Sequence, residues 1–367
     1  MLLTLIMMMC TFVDVRALTH PDRFAPRFRE GAAYRHAKHV HDGFMQDNAI
    51  YYNITPNAFP QLLDHGNPHG ETFLQRWWVD HSAWNGAGPA FLYINGEAPA
   101  SSSPTGFLAI YGHQKNGLLL TLENRYYGES MPGPLTNTSL LQRYLNVENA
   151  IEDLRYCMHF VEKNVTMSPL RWVIVGGSYS GAVSVWFKQK YPAAVLAAWS
   201  SSGVVEAQFN FYDYDGHVGR VLPQNCRSAI QAVLSTFSST WDIPSERAKM
   251  LHKLNIPPSF TKQDIAYMLA DAAAGAVQYG MKWKMCDSIL PLNASDPLGQ
   301  YNAMITEMWG PNFTSGCYYS TACLSNASMS SQWAGAGYAW IYQTCAEMAY
   351  FQVGYHGSVR LPDVSTA

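Results

Sequence analysis

The chain has 367 residues, of which 48% are hydrophobic and only 14% charged, with a net charge of −3. At about 150 residues per domain the length allows two structural units with ample core. The weak acidic balance gives no electrostatic reason to expect nucleic acid or an anionic membrane surface as a partner. The first residues, MLLTLIMMMCTFV, form a short apolar block closed by Val15-Arg16-Ala17, with small residues where a signal peptidase reads. A signal segment over 1–17 and a secreted or lysosomal (vacuolar) product are expected. The block is too short to span a bilayer, and no other run approaches about eighteen apolar residues, so no membrane span is expected. Residues 18–48 are polar and carry His36, His39 and His41 close together, but without carboxylate or cysteine company they read as a solvated or processed segment rather than a metal site. Neither metal nor cofactor is expected elsewhere.

A core region is expected over 49–205. Phe73 to Val79 reads as an edge-type strand and Ala90-Phe91-Leu92-Tyr93-Ile94 as a buried one, with the turn-rich Asn85-Gly86-Ala87-Gly88-Pro89 between them. Asn95-Gly96-Glu97 follows the second strand at once, and backbone that can approach closely at that point suits an oxyanion donor. Leu118 to Leu122 is a further buried strand, running into the polar and aromatic loop Glu123-Asn124-Arg125-Tyr126-Tyr127-Gly128-Glu129-Ser130. Loops at the carboxyl ends of strands carry function in α/β sheets. Val147, Ala150, Ile151, Leu154, Met158 and Val161 have helical spacing and predict an amphipathic helix packed on the sheet. His159 on that helix reads as packing or surface, and Cys157 as a buried free thiol.

The stretch RWVIVGGSYSGAVSVWFKQKYP, residues 171–192, carries the chemistry. Trp172-Val173-Ile174-Val175 is apolar without alternation, as in a parallel strand covered on both faces. Gly176 and Gly177 end it, and an amphipathic helix follows Ser178 as far as Tyr191-Pro192. Gly176-Gly177-Ser178-Tyr179-Ser180 meets the G-x-S-x-G nucleophile-elbow pattern except for Ser180 in the final glycine place, with Gly181 next. At such an elbow a strained bend lifts the serine hydroxyl off the sheet, and the next backbone N–H, here that of Tyr179, points at the same spot. Ser178 is therefore the candidate nucleophile, and the backbones of Tyr179, Gly96 and Glu97 are the candidate oxyanion donors. Ala193 to Trp199 predicts the next strand, so the order is β-α-β-α-β and the sheet parallel.

Beyond Glu206 helical periodicity takes over, and 206–345 reads as a helical insertion. It holds Cys226, Cys286, Cys317, Cys323 and Cys345, the disulfide candidates; being five, they leave one over. Sequons at Asn53, Asn137, Asn164, Asn293, Asn312 and Asn326 agree with secretion. His217 and His252 lie in the insertion and earn no catalytic role.

The elbow GGSYSG with WFKQKYP, the loop ENRYYGESMP, the strand GPAFLYINGE and the segment YQTCAEMAYFQ together resemble the secreted serine peptidases of the prolyl carboxypeptidase and dipeptidyl peptidase II family, over roughly residues 72–352. The resemblance implies an α/β-hydrolase core with an inserted helical, disulfide-bearing lid, in an exopeptidase that cuts proline-containing peptides after proline, with Ser178 as nucleophile. Both C-terminal and N-terminal trimming occur in that family, and homodimers are allowed for. In the family the triad aspartate and histidine follow the lid, and they are expected beyond residue 367. Residues 346–367 then begin the return to a core whose last strands are missing, and the chain itself is expected to be a poor catalyst. Asp287 or Asp296 with His356 satisfies the chain order Ser, acid, His, but no buried strand precedes either aspartate and His356 sits in a turn-like context. A non-catalytic peptide-binding protein and an esterase or lipase of the same fold are the alternatives.

Overall fold

The computed structural model describes residues 53–326 and 335–360. The expected signal segment and residues 18–48, with His36, His39 and His41, lie outside them. The chain divides into two compact units, one reaching Glu206 and including Gly335–Gln343, the other starting at Ala207 and including the tail from Thr344.

The first unit is built on a six-stranded sheet: β1 (Asn57–Leu62), β2 (Thr72–Asp80), β3 (Ala90–Ile94), β4 (Leu118–Leu122), β5 (Trp172–Gly177) and β6 (Ala197–Ser201), in the spatial order β1-β2-β4-β3-β5-β6. The pairs β3/β4, β3/β5 and β5/β6 are parallel, while β1/β2 and β2/β4 are antiparallel. This mixed sheet with its crossovers is the α/β-hydrolase arrangement the sequence implies. Every residue of β4 is buried, as a strand covered on both faces requires. One expectation is corrected: β2 is not at the edge, because β1 pairs along it from Leu62↔Thr72 to Asn57↔Trp77. β1 escaped notice because only one of its two fully buried residues, Phe59, is apolar; the other is Gln61, whose amide donates to Gln75 Oε1 at 2.8 Å.

Four helices flank these strands: α1 (Gly106–Gln114), α2 (Thr138–Tyr144), α3 (Val147–Asn164) and α4 (Ser178–Lys190). Helix α3 is capped by Asn146, whose side chain accepts from Asn149 N, and it buries Ala150, Ile151, Leu154, Cys157, Met158 and Val161. Asp153 is the polar member of that face. It holds Arg125 through Nε at 2.7 Å and Nη2 at 2.5 Å, so the buried guanidinium is matched by a buried carboxylate.

The second unit is helical: α5 (Tyr212–Val221), α6 (Gln224–Trp241), α7 (Pro244–Lys253), α8 (Lys262–Gln278), α9 (Lys282–Ile289) and α10 (Pro297–Trp309). Helix α6 packs on α7, α8, α9 and α10. Cys226–Cys286 ties α6 to α9, Cys317–Cys323 closes a small loop, and the fifth candidate, Cys345, keeps a free, exposed thiol. Among the described residues, no helix is long and apolar enough to cross a membrane.

The unit boundary differs from the sequence expectation in both directions. Helix α11 (Ala336–Gln343), expected within the insertion, belongs to the sheet unit, and the tail from Thr344, in which 346–367 are expected to return to the core, belongs to the helical unit. Polar contacts that leave no periodic signal decide this. In the tail, Arg360 is buried and donates to Asp271 Oδ1 at 3.0 Å and Gln352 Oε1 at 2.7 Å, while Tyr355 N donates to Asp215 Oδ2 at 2.8 Å.

Candidate active site

The site starts from the bend between β5 and α4. Ser178 sits at φ +55°, a left-handed conformation that a residue with a Cβ adopts only under constraint. Gly176 supplies that constraint: a Cβ there would lie 2.1 Å from Ser180 O and 2.3 Å from its carbonyl carbon. On the other side of α4, a Cβ on Gly181 would be 3.0 Å from Gly203 Cα, and one on Gly203 would be 2.1 Å from Ser200 Oγ. The first turn of α4 is thus pressed between the ends of β5 and β6, and Ser178 is its projecting, half-buried residue.

Ser180, the departure from the glycine pattern, is buried and has a local role. Its hydroxyl donates to Gly177 O at 2.8 Å and accepts from Gly177 N at 3.1 Å, pinning the residue before Ser178 from both sides. Ser178 Oγ is 3.4 Å from Glu97 Oε1, a fully buried carboxylate on the loop after β3. The sequence had singled out the Glu97 backbone and not its side chain. A carboxylate so near the hydroxyl is legible only once β3 and β5 are known to be neighbours.

The loop after β3 is tied down at several points. Asn124 Nδ2 donates to Asn95 O at 2.6 Å and reaches Gly96 O at 3.3 Å, and the Asn95 side chain donates to Ala98 O. Ala100 N donates to Glu123 Oε1 at 2.9 Å. Glu123 is fully buried and also accepts from Arg76 Nη2 at 2.6 Å, Arg76 Nε at 3.0 Å, Glu129 N at 3.1 Å, Ser130 N at 3.0 Å and Ser130 Oγ at 2.7 Å. Gly128, at φ +72°, turns the loop where a Cβ would strike Glu123 Oε1 at 2.0 Å. Beside it, burial pushes the Tyr126 phenol up to about 12 against the pull of Arg125.

Tyr179 is buried and linked to the same loop through α11. Gln343 Nε2 donates to Tyr179 Oη at 2.8 Å, Gln343 Oε1 accepts from Tyr127 Oη at 2.9 Å, and Trp340 packs on the Tyr179 ring at 5.5 Å between centroids. The sequence marks the stretches that hold Asn124 and Gln343 but assigns neither residue a role, and Trp340 lies outside any motif.

Other candidates lie away from this chemistry. His65 is bonded to Asp153 and His113 to Asp80, both at 2.7 Å, and His159 is exposed. In the helical unit, Asp287, His217, His252 and His356 are exposed, and Asp296 caps α10 through Gly299 N at 3.0 Å and pairs with Lys253 at 2.5 Å. Among the described residues, no group of three or more His, Cys, Asp and Glu could hold a metal ion. Of the sequon asparagines, Asn137, Asn164, Asn293, Asn312 and Asn326 are exposed, whereas Asn53 is half-buried and spends its amide on Val79 O at 2.8 Å.

Comparison with known proteins gives a consistent result. The profile of the family described as Serine carboxypeptidase S28 matches residues 61–362. The chain is 30% identical over 334 residues to "Probable serine protease EDA2" of Arabidopsis thaliana, an alignment covering 86% of this chain and 67% of that protein. It is 32% identical to "Thymus-specific serine protease" of Mus musculus, over 58% of this chain and 43% of the relative. It is 33% identical to "Probable extracellular serine carboxypeptidase" of Arthroderma benhamiae, over 47% of this chain and 25% of the relative. The chain thus spans from two thirds to a quarter of the length of these relatives.

Proposed function

The chain belongs to the Serine carboxypeptidase S28 family, and from that premise we propose that Ser178 is the nucleophile of a secreted serine exopeptidase that cuts proline-containing peptides on the carboxyl side of proline. The observation that carries the reading is the left-handed Ser178 on the β5–α4 bend, with no room for a side chain on Gly176. In this scheme Ser178 Oγ gives its proton to the relay imidazole and attacks the prolyl carbonyl, whose oxygen becomes an oxyanion facing the N–H groups of Tyr179 and Glu97; its collapse breaks the C–N bond, the amine leaves with that proton, and water then hydrolyses the acyl-enzyme ester and restores the serine hydroxyl. The imidazole and carboxylate of the relay are proposed to lie outside the described residues. Without them the hydroxyl is a weak nucleophile, and only binding and the oxyanion donors would contribute to rate.

A second reading is a secreted protein that binds proline-containing peptides without cleaving them. It is favoured by one observation: the group meeting Ser178 Oγ is the Glu97 carboxylate, where a relay uses imidazole. Incubation of the secreted chain with an alkyl fluorophosphonate, a prolyl-amide peptide and a short-chain ester separates the possibilities. Labelling lost in Ser178→Ala with cleavage of the prolyl amide supports the peptidase; preference for the ester moves the function to an esterase. Saturable peptide binding with neither labelling nor product would replace the first reading by the second.

A further inference from the structure

The loop ENRYYGES contributes no nucleophile, donor or base to the scheme above, yet Glu123, Asn124 and Arg125 in it are all buried and hydrogen-bonded. We propose that Asn124 is a positioning residue for the oxyanion hole, acting through the Gly96–Glu97 peptide group; this rests on reading Ser178 as the nucleophile. The peptide unit is planar and trans, so its C=O and N–H point in opposite directions. Asn124 Nδ2 engages the carbonyls on both sides of Gly96, at 2.6 Å for Asn95 and 3.3 Å for Gly96, and so sets the rotation of the peptide that carries the Glu97 N–H. Residue 97 adjoins the nucleophile, its side chain being 3.4 Å from Ser178 Oγ. Asn124 is itself buried, on a loop whose other fixed points are Glu123 and Gly128, so it cannot follow the carbonyls if they turn.

The role needs a donor of this length at this place. Alanine removes the donor, and the Gly96–Glu97 peptide is free to turn its N–H away from the developing oxyanion. Loss of one such donor lowers rates by about 10²–10³. Aspartate has the same shape but presents lone pairs to two carbonyls when ionised. Burial and the facing carbonyls favour its protonated form, raising its pKa, and that form donates again. A residue that merely filled space would not distinguish the protonation states of its replacement.

The test is the second-order rate of Ser178 labelling by an alkyl fluorophosphonate on the full secreted chain. In that reaction the Oγ–P bond forms as the P–F bond breaks, fluoride leaves, the serine proton passes to base, and the phosphoryl oxygen occupies the oxyanion position. Asn124→Ala is expected to label at least about 30-fold more slowly at an unchanged melting temperature. Asn124→Asp is expected to be equally slow at neutral pH and to regain rate, relative to the unsubstituted chain, as pH falls. Labelling of Asn124→Ala within threefold of the parent overturns the assignment. If alanine lowers the melting temperature, the aspartate variant carries the test, and a pH-independent ratio overturns the assignment. If the parent chain is not labelled at all, the reading of Ser178 as nucleophile fails by itself. Amide hydrogen exchange over residues 93–99 then decides the clamp: faster exchange in Asn124→Ala than in the parent supports it, and equal exchange overturns it.

Discussion

Replacing Glu123 by glutamine changes one oxygen to an amino group and almost nothing in volume, so its effect isolates the hydrogen bonding of this buried carboxylate. Oε1 accepts from Ala100 N and Arg76 Nη2, and Oε2 accepts from Arg76 Nε, Glu129 N, Ser130 N and Ser130 Oγ. The amide has a single acceptor oxygen. Placed at the Oε2 position that oxygen keeps the larger set, and the new amino group faces two donors, Ala100 N and the guanidinium; the reverse orientation is worse. Hydrogen bonds to charged groups contribute about 1.5–3 kcal/mol each, so two lost bonds amount to about 3–6 kcal/mol. The range agrees with about 3–5 kcal/mol for breaking a buried pair at one partner. Arg76 retains Glu129 at 2.9 Å, but that carboxylate is 79% exposed and is well screened. That remaining pair therefore compensates little, and a loss of about 3–5 kcal/mol is expected.

Urea unfolding followed by tryptophan fluorescence suits the measurement, since Trp77 and Trp78 lie on β2 next to Arg76 and report the sheet unit. Glu129→Gln is the control and should leave the midpoint where it is. The same Glu123 variant should slow fluorophosphonate labelling, because the Ala100 end of the oxyanion loop loses its anchor. A Glu123→Gln protein within about 1 kcal/mol of the parent would refute the reasoning, since the amide would then have found partners that the geometry denies it.

Three further outcomes follow from other parts of the molecule. Gly176→Ala should destabilise by about 3 kcal/mol or more and abolish labelling, because its methyl meets Ser180 backbone at 2.1 Å, whereas Gly177→Ala, with only Ser201 O at 3.8 Å, should fold normally; thermal melts of both decide it. Removing Cys226–Cys286, which spans 60 residues, should cost about 4 kcal/mol, and removing Cys317–Cys323, which spans 6, about 2 kcal/mol, with equal losses in urea counting against the chain-entropy account. Burial raises the Asp215 carboxyl above its ordinary value, against hydrogen bonding from Tyr355 N and the charge of Arg360. A raised acid contributes stability that is fully present below its unfolded pKa and lost as pH rises through the folded one. Asp215→Asn should therefore gain on the parent as pH rises above the ordinary carboxylate range, and a melting-temperature difference that stays constant across that rise would sink the assignment.

The parts of this protein that were legible beforehand are those in which one residue type has one physical reason. The unalternating Leu118–Leu122 and Trp172–Val175 point to strands covered on both faces, which holds throughout the first and for all but the half-buried Val173 in the second, and a serine between Gly176-Gly177 and a helix points to a tight bend. What escaped reading is polar and buried. β1 turns Phe59 and Gln61 inward, and periodicity scores the second as solvent-facing, although Gln75 and the Asp153 carbonyl receive its amide at 2.8 and 3.2 Å. Residues 346–367 read as the start of a return to the core because they follow the insertion, yet the buried Arg360 among them has its carboxylate, Asp271, on α8. Glu97 reads as a backbone donor, yet its side chain meets Ser178 across 81 residues, a proximity set by the pairing of β3 with β5. Pairings of this kind are properties of topology, and no local pattern encodes them.

The same topology explains why one loop can serve both halves of an oxyanion hole. The two candidate donors sit at the ends of different strands, Glu97 after β3 and Tyr179 after β5, while the ENRYYGES loop leaves β4 on the far side of β3 from β5. From there Asn124 reaches the β3 loop directly, and Tyr127 reaches the elbow through Gln343 and the Tyr179 hydroxyl. A donor pair separated by one strand spacing, about 4.8 Å, has to hold its geometry to within about half an ångström to match a tetrahedral oxyanion. Fixing both ends from one buried loop removes the independent drift of two separately anchored loops. The polar content of that loop is then divided between two tasks: Arg125 ties it to Asp153 on α3, while Asn124 and Tyr127 make the contacts that reach the two donors.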